Sequence, residues 1–226
     1  MRVAVLFSGG KDSTLAIQKA MENNEVACLV TIVSKNKESY MFHTPNIRLT
    51  RLQAKAIGLP LIQKTTEGKK EDELGDLKKA LVEAKRRFGI DGVVTGAVES
   101  VYQSSRIQKV CNELGLCCMN PLWKKNQEEL LREIVAKGFK VLISGAFAHP
   151  FDRSWVGREL DEKLIEELLR LRGEYGVSPS GEGGEIETTV LDAPMFKKKI
   201  VVLDFLVEAK GNSNTFIIRK ARLVKK

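Results

Sequence analysis

A short apolar segment near the start of the chain runs directly into a glycine-rich turn and then into a helical pattern. Residues 2–7 form the segment, residues 8–13 (SGGKDS) form the turn, and helical periodicity begins at Thr14. Strand, tight turn and helix in this order are typical of the first crossover of a parallel α/β sheet. The pattern therefore predicts a helix N-terminus at the carboxyl end of a strand, where such sheets bind ligands.

The turn has the composition of a phosphate site. A helix N-terminus presents unpaired N–H groups and partial positive charge. Adjacent glycines let the backbone approach an anion closely, a lysine adds a cation, and two serines add hydroxyl donors. The residues of this turn predicted to bind a phosphate-bearing cofactor are Ser8, Gly9, Gly10, Lys11, Asp12 and Ser13. The competing interpretation is a plain strand-to-helix turn, which the uninterrupted strand and helix on either side disfavour.

The spacing of this turn excludes two common nucleotide motifs. The P-loop requires G-x-x-x-x-G-K-[ST], and the dinucleotide fingerprint requires G-x-G-x-x-G. Gly9 and Gly10 are adjacent and no third glycine follows in the turn. The segment instead resembles the S-G-G-x-D-S signature, or PP-loop, of the N-type ATP pyrophosphatases. That resemblance implies cleavage of ATP between the α and β phosphates.

Strand and helix patterns alternate through the first half of the chain, which predicts an α/β fold with a parallel five-stranded sheet and helices on both faces. The composition changes after 121–123, where helices precede two strands joined by a hairpin signal at 210–214. We therefore predict an ATP-binding domain at 1–123 and a smaller α+β substrate-binding domain at 124–226.

Two further residues are expected near the carboxyl edge of the sheet. Gly96 ends a predicted strand, so it falls beside the glycine-rich turn and is a candidate for nucleotide binding. His43, in the segment 41–46, is a candidate for a contact with the adenine edge, and a structural histidine satisfied by its neighbours is an equal alternative. The chain has only two histidines, so neither a zinc site nor a Ser–His–Asp triad is predicted.

A second motif, residues 181–188 (GEGGEIET), combines three glycines with three carboxylates. Close acids repel one another unless a cation, a metal or a hydrogen-bond donor answers them. We predict that Glu182, Glu185 and Glu187 serve a substrate or a metal, with Gly183 and Gly184 lining the substrate pocket. A solvated acidic turn is the alternative.

A third cluster lies on one predicted helix. Tyr102 and Arg106 are four residues apart and share a face, and Glu99 and Gln103 lie nearby. Arg106 is a candidate for a bidentate clamp on a phosphate or carboxylate. On spacing alone a solvated helix face with a surface arginine is favoured, and the position of the helix near the carboxyl edge of the sheet makes the two interpretations equal.

Net charge, cysteine spacing and hydropathy indicate the kind of partner and compartment that suit this chain. The net charge of +8 suits an anionic partner, and equally a solvated surface of the kind found in heat-adapted proteins. Four cysteines show neither metal spacing nor a C-x-x-C pair, which predicts packing roles in a reducing cytoplasm. No apolar stretch reaches the length of a membrane span, and the N-terminus lacks a signal-peptide pattern.

Taken together, the motifs resemble the diphthine–ammonia ligase family over nearly the whole chain. The glycine–glutamate motif is the most specific part of this resemblance. The matching segments are 8–13, 41–46, Tyr102-Gln103 with Arg106 and Val110-Cys111, 121–123, 181–185, Glu187-Thr188 and 191–194.

The resemblance implies a HUP-type nucleotide domain and a family-specific C-terminal domain. It implies ATP as co-substrate and diphthine on translation elongation factor 2 as acceptor. The diphthine carboxylate would attack the α-phosphate, and ammonium would supply the nitrogen that displaces AMP. Asp12 would hold Mg²⁺ directly or through water. A cytoplasmic enzyme follows, compatible with a homodimer and requiring neither a membrane nor nucleic acid.

Under this resemblance, Glu99, Tyr102, Gln103 and Arg106 would contact the substrate. The three acids of the second motif would hold the trimethylammonium group, steer ammonium or accept its proton. Two rivals stay open: an ATP pyrophosphatase that modifies tRNA, and a non-enzymatic ATP-binding sensor. The sensor would not need the acidic glycine-rich motif.

Overall fold

The computed structural model describes residues 1–36, 45–68 and 72–226. In the first half, strands and helices alternate. They are β1 (Arg2–Leu6), α1 (Lys11–Asn23), β2 (Glu25–Ser34), α2 (Thr50–Ile57), β3 (Leu61–Thr66), α3 (Asp72–Phe88), β4 (Gly92–Val94), α4 (Val101–Glu113) and β5 (Cys117–Met119). The five strands form one sheet in the order β3-β2-β1-β4-β5. All neighbouring pairs are parallel, so the predicted five-stranded parallel sheet is confirmed.

Side chains alternate along each strand, so both faces of this sheet carry apolar side chains. Helices cover both faces and bury these side chains. On β1, Val3 and Val5 belong to an apolar cluster that includes residues of α1 and α2. Ala4, which points to the opposite face, belongs to a second cluster with residues of α3 and α4. A sheet buried on both faces explains why its strands are nearly continuous apolar runs.

The second half combines helices with an antiparallel sheet. Its elements are α5 (Gln127–Ala136), β6 (Lys140–Ala146), α6 (Glu162–Tyr175), β7 (Ile186–Asp192), β8 (Lys198–Lys210) and β9 (Ser213–Lys225). The strand order is β7-β6-β9-β8. Short 3-10 turns lie at Ile47–Leu49 and Arg153–Trp155. The α+β character expected for this half is confirmed.

A single apolar core joins the two halves. The cluster that contains Val3 and Leu15 also contains Leu130, Leu164 and Val190 of the second half. The carbonyl of Gly9 accepts a hydrogen bond from the N–H of Val190 at 3.0 Å. The halves therefore pack as one body, and the domain boundary at 123 stays a prediction.

Residues 186–192 form a strand, β7, so Glu187 and Thr188 of the second motif lie on the second sheet. The structure corrects one prediction. We expected all four cysteines to pack, but Cys117 is exposed. Because β5 is a three-residue edge strand, alternate side chains leave the core and one of them is Cys117. Within the described ranges, every helix is too short or too polar to cross a bilayer.

Candidate functional site

A cleft of about 1510 Å³ opens where the carboxyl ends of the parallel strands meet the second sheet. One wall is the glycine-rich turn with the start of α1. The other wall is the loop 178–185, here called the acidic segment, together with β7, and β9 contributes the rim. The cleft therefore takes its lining from both halves of the chain.

The glycine-rich turn is held by a buried glutamine. Gly9 has a φ of 84°, which an L side chain rarely adopts. Its carbonyl accepts a hydrogen bond at 2.9 Å from Nε2 of Gln53, a fully buried residue of α2. The same Nε2 donates to the carbonyl of Val190 at 2.8 Å. A side chain at Gly9 would collide with Gln53, so this glycine is required for packing as well as for its conformation.

Gly96 lets the start of α1 lie against the exit of β4. A Cβ at Gly96 would come within 2.6 Å of the backbone nitrogen of Ser13. Real Cβ atoms do not approach backbone so closely, so only glycine fits without a shift of the helix. This contact sets the position of the helix N-terminus at the cleft.

Lys11 lies at the centre of the site and is 3 % exposed. Its Nζ donates to Oδ2 of Asp12 at 2.8 Å and to the carbonyl of Ser180 at 2.5 Å. Its backbone N–H donates to Oγ1 of Thr188 at 3.1 Å. The first residue of α1 is thus bound to two of the segments of the second half that line the cleft.

The ammonium of Lys11 stays charged despite its burial. Burial by itself lowers the pKa of Lys11, but the carboxylates of Asp12, Glu182 and Glu187 outweigh that effect and raise the pKa above its ordinary value. The site therefore keeps a permanent cation beside the helix N-terminus. A cation there favours a bound polyphosphate.

Two acids of the cleft titrate near neutral pH. Burial raises the pKa of Glu182 to about 7; the charge of Asp12 adds to this shift and Lys11 opposes it. Burial also raises the pKa of Glu187 to about 7, again with Lys11 opposing. A carboxyl group with a pKa near the working pH can both accept and return a proton.

Asp12 has an atom free for a metal ion. Its Oδ2 is bound to Lys11, whereas Oδ1 is buried and lacks a hydrogen-bond partner in the part of the chain that the structure describes. A hard oxygen donor suits Mg²⁺, which usually takes one or two carboxylates together with phosphate oxygens and water. Across residues 1–36, 45–68 and 72–226, no group of three or more His, Cys, Asp or Glu residues could hold a metal by itself. The residues therefore fit a magnesium ion only when a ligand supplies further oxygens.

Other predicted residues fall outside the lining of the cleft. Glu185 accepts a hydrogen bond from the N–H of Ser178 at 3.0 Å, and its carboxylate lies against Gly183. The guanidinium carbon of Arg106 lies 3.6 Å from the centroid of the Tyr102 ring. Glu185 therefore stabilises the conformation of the acidic segment, and Arg106 packs on the ring of Tyr102.

The structure brings most of the predicted site residues together. Those that line the cleft are Ser8, Gly10, Lys11, Asp12, Ser13, Gly96, Gln103, Glu182, Gly183, Gly184 and Glu187. Gly9 lies directly beneath this lining. Those not brought into it are Glu99, Tyr102, Glu185 and Arg106, and His43 lies outside the described residues.

Sequence reasoning missed Gln53, Gln127, Ser180 and Thr188, which bind the segments of the site to one another. Three of these are buried polar residues, and Gln127 is half-buried. Their partners lie far away along the chain, at separations from 28 residues for Gln127–Glu99 to 177 residues for Thr188–Lys11. The sequence around each of these four residues gives no local signal of such a contact.

Comparison with known proteins gives matches over both halves. The family model for the diphthamide synthase N-terminal domain matches residues 1–118, and the model for its C-terminal domain matches residues 126–224. The chain is 38% identical over 224 residues to a diphthine–ammonia ligase of Mus musculus. It is 35% identical over 222 residues to one of Homo sapiens. Each match covers 89% of this chain and 83% of the relative.

A solved structure also resembles the chain, with a TM-score of 0.46 and 22% identity. It is described as a predicted subunit of tRNA methyltransferase from Methanocaldococcus jannaschii. The match covers 86% of this chain and 98% of the other.

Proposed function

The chain belongs to the diphthamide synthase family and is an ATP-dependent diphthine–ammonia ligase, and we propose that the cleft described above is where the amide forms. The observation that carries this proposal is that Lys11 donates hydrogen bonds to Ser180 and Thr188, which flank the cleft residues Glu182 and Glu187. A phosphate site and a proton-accepting site face each other at one buried cation.

The phosphate side would bind and polarise ATP. The hydroxyls of Ser8 and Ser13 lie 3.1 Å apart on the lining of the cleft, and the positive end of the α1 dipole would favour a phosphate beside them. Lys11 would stabilise the charge that develops on the leaving pyrophosphate. Because these donors are fixed by the fold, they need no rearrangement when the α-phosphorus is attacked.

The proposal places Mg²⁺ beside the phosphates of ATP. Asp12 would hold it through Oδ1, together with phosphate oxygens and water. A magnesium ion supplies charge neutralisation and orientation of the phosphates.

The acidic side would handle the second half of the reaction. The diphthine carboxylate attacks the α-phosphorus of ATP, an acyl-adenylate forms and pyrophosphate leaves. Ammonium must lose a proton before its nitrogen can attack that acyl group and release AMP. Glu182 and Glu187, with pKa values of about 7, are suited to accept this proton.

The acceptor is proposed to be diphthine on translation elongation factor 2, which places the enzyme in the cytoplasm. Among the described residues, both walls of the cleft come from the same chain. The proposal is compatible with a homodimer and requires no nucleic acid.

The test is to incubate the protein with ATP, Mg²⁺, ammonium and diphthine-bearing elongation factor, and then to weigh the factor by mass spectrometry. Conversion of acid to amide replaces OH by NH₂ and lowers the mass by about one dalton. Omission of ammonium should leave the mass unchanged. An unchanged mass in the complete mixture would contradict the proposal.

A further inference from the structure

Gln127, the first residue of α5, bridges the acidic segment to the loop that follows β4. Its Oε1 accepts hydrogen bonds from the hydroxyl of Ser178 at 2.8 Å and from the N–H of Ser180 at 3.2 Å. Its Nε2 donates to Oε2 of Glu99 at 3.2 Å. The orientation of the amide follows from these neighbours, since a backbone N–H needs an acceptor and a carboxylate needs a donor.

Two more hydrogen bonds close these contacts into a ring, here called the glutamine ring, of Glu99, Gln127, Ser178 and Glu182. The N–H of Glu182 donates to Oγ of Ser178 at 2.9 Å. The N–H of Glu99 donates to the Oε2 of Glu182 at 3.3 Å. Both the backbone and the carboxylate of Glu182 are therefore fixed by residues that Gln127 holds.

The glutamine ring also reaches the central cation. Ser180, which is 1 % exposed, donates its N–H to Gln127 and accepts a hydrogen bond from Lys11 at its carbonyl. Ser180 is therefore the single residue that links Gln127 to Lys11 along this path of hydrogen bonds. A shift of the Gln127 side chain would move both the carbonyl of Ser180, which accepts a hydrogen bond from Lys11, and Glu182, whose charge acts on Lys11.

We propose that Gln127 is a positioning residue of the ligase: it holds the Ser180 carbonyl and the Glu182 carboxylate in the places where they meet Lys11. Among the described residues that line the cleft, Gln127 is absent, so it acts through its partners. The catalytic part of this inference rests on the function proposed above. The primary amide of Gln127 supplies an acceptor to two donors and a donor to a carboxylate at the same time.

The first test separates turnover from ATP binding. For Gln127→Ala, kcat for amidation should fall about 10–100-fold, as for other residues that orient a reacting group. The KM for ATP should change less than about threefold, because Gln53 and Val190 hold the glycine-rich turn independently. Gln108→Ala is the matched control, since Gln108 donates to Asn112 on the exposed side of α4. An undiminished kcat in Gln127→Ala would overturn the proposal.

A second readout does not depend on the reaction. Amide hydrogen exchange at 178–182 should be faster in Gln127→Ala than in the parent and unchanged in Gln108→Ala. Equal exchange in parent and Gln127→Ala would show that the glutamine ring does not hold the segment, and would overturn the proposal. If the parent itself yields no amide while exchange still responds to Gln127→Ala, the proposed function fails and the anchoring stands.

The third test exchanges donor and acceptor. Gln127→Glu places a carboxylate opposite that of Glu99, so kcat should fall as in Gln127→Ala. Adding Glu99→Gln restores one donor and one acceptor in reversed order. The double variant should return to within about threefold of Glu99→Gln alone, a coupling that independent sites do not show. A double variant as impaired as Gln127→Glu would contradict a positioning role.

Discussion

At the scale of single residues, the site is a buried cation balanced by three acids. Lys11 is paired with Asp12, and Glu182 and Glu187 add to the field around it. Burying such charges is costly unless they are paired and hydrogen-bonded. These buried charges lie where ATP and ammonium would meet. Carboxyl groups with shifted pKa values are typical of sites that transfer protons.

The role of Lys11 gives the first prediction. Lys11→Met keeps the apolar stem and removes the charge, so amidation should fall at least about 100-fold through loss of transition-state stabilisation. The rate is measured from the amide mass of the elongation factor. Lys19→Met is the control on the same helix, because Lys19 pairs with Glu133 outside the lining of the cleft. A Lys11→Met enzyme with parental turnover would refute the role of Lys11 in ATP chemistry.

The raised pKa of Glu187 predicts how the free energy of unfolding depends on pH. Its pKa is about 7 in the folded protein against an ordinary value of 4.5, so the folded state binds this proton more tightly than the unfolded chain. That contribution to stability is fully present below pH 4.5 and is lost as the pH rises through 7. In Glu187→Gln, the free energy of unfolding should therefore decline less between pH 5 and pH 8 than in the parent.

Urea unfolding at the two pH values measures this difference. The exposed Glu129 lies on the first turn of α5, and Glu129→Gln should keep the parental pH dependence. Identical pH dependence in Glu187→Gln and the parent would show that burial does not shift this acid.

At the scale of elements, α1 owes its position to a single glycine. Gly96→Ala would force the backbone of Ser13 away from β4, and overpacking of this kind costs about 1–3 kcal/mol in the free energy of unfolding. Affinity for ATP should weaken with it, because the helix N-terminus moves. Urea unfolding and ATP titration measure the two effects.

Gly75→Ala is the control for this prediction. Gly75 lies within α3, and a Cβ there would meet no described atom within 4 Å beyond the backbone of its own helix. Alanine at this position should therefore stabilise the helix by about 0.5–1 kcal/mol. A Gly96→Ala protein as stable as the parent would contradict the close approach of α1 to β4.

Sequence reasoning predicts those elements whose signals are local. The strand, turn and helix at 2–17 and the alternation that follows are set by apolar runs and glycines, and these predictions are confirmed. The start of β7 gives a weak local signal, because residues 186–188 belong to the acidic motif 181–188. The hairpin of β8 and β9 extends beyond the apolar stretches that indicate its two strands, because many of its outer residues are charged.

The contacts that assemble the site lie beyond such local reasoning. Gln53 binds Gly9 and Val190, residues that its own helix gives no reason to expect. Gln127 reads in the sequence as an ordinary first residue of a helix. A polar side chain acquires its partners only when distant segments pack together, so composition and spacing predict the acids and the turn and not the residues that join them.

At the scale of the whole molecule, the shared core predicts cooperative unfolding. One apolar cluster spans both halves, and the glycine-rich turn is bonded to β7. Urea unfolding followed by far-ultraviolet circular dichroism and by tryptophan fluorescence should therefore give one coincident transition. Separate transitions for the two halves would show that 1–123 and 124–226 are independent domains.

The most direct measurement of the central claim is an isotope transfer. Diphthine whose carboxylate carries oxygen-18 is converted with ATP and ammonium, and the released nucleotide is weighed. Attack of that carboxylate on the α-phosphorus predicts AMP that carries one labelled oxygen, with unlabelled pyrophosphate. Unlabelled AMP, or ADP together with labelled phosphate, would contradict adenylation in this cleft.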